Sequence, residues 1–245
     1  MYEGLKKVAK SILPKSFFQK NEDFIRSIVA LKYKGNNYTC NVCNYNLSTF
    51  IELEKKDKLC PKCGSLSRTR RLWKFINEEI GLSNKKILHF SPPKCLREAI
   101  SKSDPKVYIT TDYEGEFSAT KRLDIENIDE PDASYDLIIC YHVLEHIVHD
   151  LKAMEELYRI TKKGGQCVIQ TPFKEGDIFE DFSKKTKKER LKYFGQEDHV
   201  RIYSVEGLKN RLESVGFQVQ VHNFTIPQKN TYGLKEGETT LLITK

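Results

Sequence analysis

Two short cysteine hooks, Cys40-Asn41-Val42-Cys43 and Cys60-Pro61-Lys62-Cys63-Gly64, constrain the amino-terminal third of this chain more than any other feature. A CxxC turn directs two sulfurs to one side of a metal, so two such turns can surround one ion with four thiolates. The spacing reads as a zinc ribbon, with Gly64 relieving the tight backbone after the second hook. A closed four-thiolate site is structural, and the ion would contribute folding energy to a segment too small to bury a core. A redox dithiol, a disulfide pair, and iron in place of zinc are the other readings of the same residues. Cys95, Cys140 and Cys167 stand singly in apolar or helical contexts and read as buried packing residues.

At 245 residues, 39% hydrophobic and 31% charged, the chain has room for one good core and a small satellite. The longest apolar run, Leu137 to Val143, falls far short of the roughly 20 residues of a bilayer-spanning helix. With no secretory signal recognised and free thiolates to keep reduced, the expected compartment is the cytoplasm. The net charge of +7 is concentrated at the start: residues 1–35 hold eight Lys/Arg against three Asp/Glu, or +5. Leu5, Val8, Ala9, Ile12 and Leu13 share one helical face among lysines. This basic amphipathic arm suits either packing on the protein or contact with an anionic membrane surface. A second basic run, Lys184 to Arg190, reads as a solvated face.

After the ribbon, Leu72, Trp73, Ile76 and Ile80 repeat with helical spacing and Gly81 supplies a stop. From Lys86 onward, apolar strands alternate with helices. Strands are expected at Ile87–Phe90, Val107–Thr111, Tyr135–Tyr141 and Gln166–Thr171, and helices at Lys94–Ser101, Leu144–Ile160 and Ser204–Val215. Phe217–Phe224 and Thr239–Thr244 have no helix between them and are expected to pair antiparallel. The pattern implies an α/β fold with a doubly wound, mainly parallel sheet, and hence ligands over the carboxyl ends of the strands. The residues there are Phe90, Ser91, Asp112, Asp124, Tyr141 and His142. Asp112, 21 residues after Ser91, stands where a carboxylate takes the two hydroxyls of a ribose. Asp124 can accept from an adenine amino group, or cap the turn that follows it.

The run from Asp132 to Ile147, with Tyr141-His142-Val143-Leu144-Glu145-His146 at its centre, then Ala153 to Ile160 and Lys163-Gly164-Gly165, resembles the central block of class I S-adenosylmethionine-dependent methyltransferases of the type 11 group. The resemblance covers residues 86 to 172 well and Gly207 to Phe217 loosely. It implies a Rossmann-like sheet of seven strands, S-adenosylmethionine as cofactor, Asp112 on ribose, Asp124 near adenine and Tyr141-His142 beside the sulfonium. The family's glycine-rich first loop is replaced by His89-Phe90-Ser91-Pro92-Pro93, where the prolines remove two N–H donors and stiffen the turn. A narrower resemblance, through Leu59 to Arg68, Trp73 and Phe194 to Tyr203, is to bacterial zinc-ribbon methyltransferases associated with surface polysaccharides.

These readings divide the chain into a basic arm (1–35), a zinc ribbon (36–66) and a class I methyltransferase domain (67–245). The expected reaction is O-methylation of a small-molecule acceptor, a glycan or glycan precursor, with His142, His199 or His146 removing the hydroxyl proton. In an extended segment, His199, Arg201 and Tyr203 share a side; Arg201 and Tyr203 are expected to hold the acceptor. Nucleic acid is a weaker reading, since the arm has few aromatics for base stacking. A binding protein on an inactive methyltransferase fold is the non-enzymatic alternative, and no partner protein is indicated.

Overall fold

The computed structural model describes residues 15–53, 57–115 and 118–245, with side chains from Asn21 onward. The arm helix expected over Leu5 to Leu13 lies outside the described residues. The chain forms two compact units, Met1–Gly81 with Thr225–Glu236, and Leu82–Phe224 with Gly237–Lys245. Among the described residues, no helix is long and apolar enough to cross a membrane.

The first unit begins with helix α1 (Lys15–Leu31), followed by strands β1 (Lys34–Cys40), β2 (Tyr45–Leu47), β3 (Ile51–Glu52) and β4 (Lys58–Leu59) and helix α2 (Ser67–Phe75). Strands β1 and β2 form one antiparallel pair, and β3 and β4 another. Although the sequence reading assigns it to a separate arm, α1 is fastened to the ribbon. Tyr45 Oη donates to Ala30 O at 3.1 Å and Lys62 Nζ to Ser27 Oγ at 2.7 Å. Its outer face exposes Phe24, Ile28 and Leu31. Helix α2 runs into a π-helical turn, Ile76–Ile80, stopped by Gly81; this segment, which the sequence boundary at 67 assigns to the catalytic domain, falls in the first unit.

The second unit contains β5 (Lys86–Phe90), α3 (Lys94–Ser101), β6 (Val107–Thr111), β7 (Tyr135–Tyr141), α4 (Asp150–Ile160), β8 (Thr161–Gln170), β9 (Phe179–Glu180), α5 (Lys187–Phe194), β10 (Arg201–Ile202), α6 (Val205–Ser214), β11 (Gln218–Phe224) and β12 (Glu238–Thr244). Six strands form one sheet in the order β11-β12-β8-β7-β5-β6. Strands β8, β7, β5 and β6 are parallel, while β12 is antiparallel to both its neighbours. Central β7 reads as an unbroken apolar run because Leu137 to Cys140 are all buried, as expected of a strand covered on both faces. Helix α4 presents Ala153, Met154, Leu157 and Ile160 to the core as a helical stripe. Ser204 caps α6 as expected, its hydroxyl accepting from Gly207 N at 3.1 Å. Cys95, Cys140 and Cys167 are buried.

Three local expectations are corrected. The seventh strand is not seen among the described residues: Lys121 makes only a single parallel bridge to Thr111. Hydroxyls divert the ladder there, with Leu123 N donating to Thr111 Oγ1 and Thr110 N to Thr120 Oγ1, and a turn begins at Asp124. The helix expected from Leu144 is a one-turn 3-10 segment, Leu144–His146, separated from α4 by extended Ile147. The strand expected to start at Gln166 begins at Thr161, so Lys162–Gly165 lies inside β8, where Gly164 has φ +73°. A Cβ on Gly165 would meet Lys162 O at 2.9 Å and Tyr135 O at 3.0 Å.

Candidate active site and metal centre

Strand order reverses at β5, since α3 leads outward to β6 and the chain then returns to β7 on the other side. That is the switch point where an open α/β sheet binds its ligand. Here the sequence-predicted residues meet. Ser91 Oγ donates to Asp112 Oδ1 at 2.8 Å, joining the ends of β5 and β6, and Ser91 N donates to Thr111 O at 2.7 Å. Asp112 is buried. Ser91 has φ +44° and His142, at the end of β7, has φ +58°. Left-handed backbone at non-glycine residues is uncommon and concentrates where surrounding structure holds a working geometry. Ser91 thus makes, with a side chain, a turn at the place where the related loop carries glycines.

At the end of β7 the 3-10 turn gathers a second group. His142 Nδ1 lies 3.2 Å from Glu145 Oε1, and Glu145 is 1% exposed. Burial alone would raise the Glu145 carboxyl; the hydrogen bond and charge of His142 outweigh it and hold the group below its ordinary range. His142 Nε2 and Glu145 Oε2 are buried without a partner. Val200 N donates to Glu145 O at 3.0 Å, which draws the segment before β10 onto this turn. His199 and His146 therefore meet edge to face, with 4.7 Å between ring centroids. Asp198 Oδ2 is 3.3 Å from His146 Nδ1. His199 is buried, and desolvation lowers its pKa, so it is neutral at neutral pH.

The other expected site residues make contacts of their own. Arg201 is 1% exposed, and its donors go to Ile147 O at 2.5 Å, Val148 O at 2.9 Å and Glu180 Oε2 at 3.0 Å. Tyr203 is fully buried and donates to Asp150 Oδ2 at 2.5 Å. Arg201 pins β10 to the residues that follow the 3-10 turn, and Tyr203 ties the end of that segment to the start of α4, because an extended segment lying against the core turns its donors inward. The Phe90 side chain packs in the core, leaving only its backbone at the edge. Asp124 is exposed and caps its own turn, Oδ1 accepting from Glu126 N at 2.9 Å. Tyr141 Oη bonds Thr240 Oγ1 at 3.1 Å. Glu145 and Asp198 were given no role by the sequence reading, though the His142-x-x-Glu145 spacing was a signal: residues three apart meet across a single tight turn. A half-open cavity of about 370 Å³ is lined by Val148, Asp181, Phe182, Lys184, Lys185, Arg190 and Val200, so part of the second basic run borders it.

In the first unit, the sulfurs of Cys40, Cys43, Cys60 and Cys63 lie within 4.8 Å of one another. Cys40–Cys63 is 3.7 Å and Cys43–Cys60 3.8 Å. Tetrahedral zinc with bonds near 2.3 Å requires sulfur separations of about 3.8 Å, so the donor set fits zinc. Without a cation the thiols divide: hydrogen bonds from Cys43 and Cys60 lower the pKa of Cys40, and the same bonds to Cys40 drive Cys43 and Cys60 far upward. Ser65 Oγ lies 3.2 Å from Cys40 Sγ and 3.3 Å from Cys63 Sγ, positioned to support thiolates.

Residues 76–222, more than half of the chain, match a family model described as a methyltransferase domain. The chain belongs to this methyltransferase family. Its fold is shared by solved S-adenosylmethionine-dependent methyltransferases. One from Mesorhizobium loti is 14% identical with TM-score 0.50, covering 72% of this chain and 97% of that one. One from Archaeoglobus fulgidus is 16% identical with TM-score 0.50, covering 73% and 92%. The fold is shared as well by the YcgJ protein of Bacillus subtilis, 16% identical with TM-score 0.51, covering 70% of this chain and 95% of that one. No curated protein matches in sequence. The chain is therefore an enzyme, a methyltransferase.

Proposed function

We propose that the methyltransferase transfers the methyl group to a hydroxyl oxygen of an anionic acceptor, of which a glycan precursor is the leading class. The observation that supports this most is the His142–Glu145 pair: a buried carboxylate holds Nδ1 of an imidazole whose Nε2 has no protein partner. An imidazole so held is suited to accept a hydroxyl proton near neutral pH. Bound cofactor supplies an electrophilic methyl on a sulfonium. The protein's share is to fix ribose through Asp112, align the acceptor and take its proton. Lys185 and Arg190 at the cavity beside Val200 supply the positive charge for an acceptor's phosphate or carboxylate, in place of the buried Arg201, while Lys184 is paired with Asp181 at 3.2 Å. The exposed Phe24, Ile28 and Leu31 stripe of α1, with the +5 charge of residues 1–35, supports contact of the arm with an anionic membrane surface. The four-cysteine site is proposed to hold a structural zinc.

The test is methyl transfer from labelled cofactor to a panel of nucleotide-activated sugars, uncharged sugars and transfer RNA. A methyl ether on an anionic sugar substrate, identified by mass spectrometry and reduced by Lys185→Glu, is expected. Transfer to RNA alone, or equal transfer to uncharged sugars, would overturn the reading.

A further inference from the structure

The buried end of the 3-10 turn carries more donors than proton removal needs. Glu145, His146 and His199 each offer one ligand atom, and the three lie within 4.8 Å of one another. We propose that these residues form a second metal centre, taking one divalent transition-metal cation through two imidazole nitrogens and one carboxylate oxygen. The claim goes beyond the acceptor reading and concerns ligation alone.

Four observations carry it. The donor set of two imidazoles and one carboxylate suits zinc, iron, cobalt or nickel, and three protein ligands leave coordination positions for an oxygen of a bound molecule. Glu145 Oε2 is buried with no hydrogen-bond partner, although its other oxygen is held by His142; an enclosed, unpartnered carboxylate oxygen is a ligand position for a cation. The outer partners that metal ligands require are already present. His142 holds one Glu145 oxygen, and Asp198 Oδ2 lies 3.3 Å from Nδ1 of His146. The ligands are also brought from two elements and fixed there: Glu145 and His146 by the 3-10 turn, His199 by the bond from Val200 N to Glu145 O. Bonds of about 2.1 Å set tetrahedral donors about 3.4 Å apart, so the side chains need to close by no more than about 1.4 Å. This centre differs from the thiolate site in donor type, which makes the two separable by spectroscopy.

The experiment titrates cobalt(II) into the full chain after its thiolate site has been loaded with zinc. One cobalt per chain is expected, with weak visible bands and without the intense near-ultraviolet absorption of cobalt–thiolate bonds. His199→Ala, His146→Gln and Glu145→Gln should each weaken cobalt binding tenfold or more. Cofactor binding and the thermal transition show which variants are folded; the partly exposed His146 makes His146→Gln the safest of the three. Absence of cobalt binding outside the thiolates, or unchanged binding in folded His146→Gln and His199→Ala, would overturn the proposal. Cobalt binding is read without acceptor or turnover, so a wrong acceptor class leaves the outcome legible, and failed cobalt binding with intact cofactor binding leaves the methyltransferase reading in place.

Discussion

Replacing Arg70 with Met should release the first unit's grip on its own chain. Arg70 is fully buried. Its guanidinium donates to Tyr232 O at 2.6 Å, Ser65 O at 2.6 Å, Gly233 O at 2.9 Å and Lys58 O at 3.0 Å. It also lies 4.1 Å from the centre of the Phe50 ring. Burial lowers its pKa, while the charge of the cysteines works in the opposite direction, as expected of a cation near thiolates. Two of the four carbonyls keep another donor after the substitution: Ser65 O accepts from Cys60 N, and Gly233 O from Ser67 Oγ. The loss is therefore that of roughly two buried acceptors at about 1–2 kcal/mol each and a desolvated cation–π contact of about 1 kcal/mol. The sum is about 3–5 kcal/mol, a large share of the stability of a small unit. Urea unfolding of zinc-loaded protein, followed by chelator capture of released metal, should show this shift, and amide exchange of residues 225–236 should rise with it. Arg70→Lys should recover little, because one ammonium cannot span four carbonyls. A midpoint for Arg70→Met within about 0.5 kcal/mol of the natural protein would refute the clamp.

Three further outcomes are expected. Asp112→Ala should weaken S-adenosylmethionine binding in calorimetry by about 1.5–3 kcal/mol, and Ser91→Ala by about 0.5–1.5 kcal/mol, since the serine hydroxyl only orients the carboxylate; equal affinity in Asp112→Ala would remove the ribose assignment. Metal analysis should find zinc in the four-cysteine site, and Cys40→Ser with Cys63→Ser should lose that zinc together with ribbon structure, whereas a metal-free natural protein with a folded first unit would disprove it. Buried His89, whose pKa burial pushes down to about 3, binds its proton more readily unfolded than folded, so stability should fall as pH drops below about 6.5. The slope from this group is at most about 1.4 kcal/mol per pH unit, and His89→Leu should flatten the urea-midpoint profile between pH 6.5 and 5; an unchanged profile would contradict it.

Most of the fold was legible because its signals are local. Burial on both faces makes β7 a continuous apolar run, α4 shows its stripe at helical spacing, and Ser204 announces the start of α6. The cysteine hooks were equally legible, since each places two sulfurs within one turn. What escaped depends on competition between alternatives of similar local merit. Thr110, Thr111 and Thr120 could extend a ladder or divert it with hydroxyls, and only the assembled edge shows the latter. Leu144 to Ile160 has one helical pattern, yet the chain breaks at Ile147, where Arg201 takes its carbonyl.

The same competition separates residues whose place in the fold can be read from sequence from those whose surroundings cannot. Asp112 could be placed because the switch point of the sheet fixes it, whatever its neighbours are. Arg201 and Tyr203 could not, because an arginine that clamps an anion and one that satisfies buried carbonyls have the same sequence appearance. The difference is set by Ile147, Val148, Asp150 and Glu180, which reach them through tertiary structure. Their burial is nonetheless what makes the site. Arg201 locks β10 against the residues after the 3-10 turn, Tyr203 ties the end of that segment to the start of α4, and that lock presses His199 onto His146 beside Glu145. Loosening the lock should therefore disturb the chemistry of three residues that Arg201 itself does not touch, so an activity loss in Arg201→Ala is evidence about the position of His199 before it is evidence about acceptor binding.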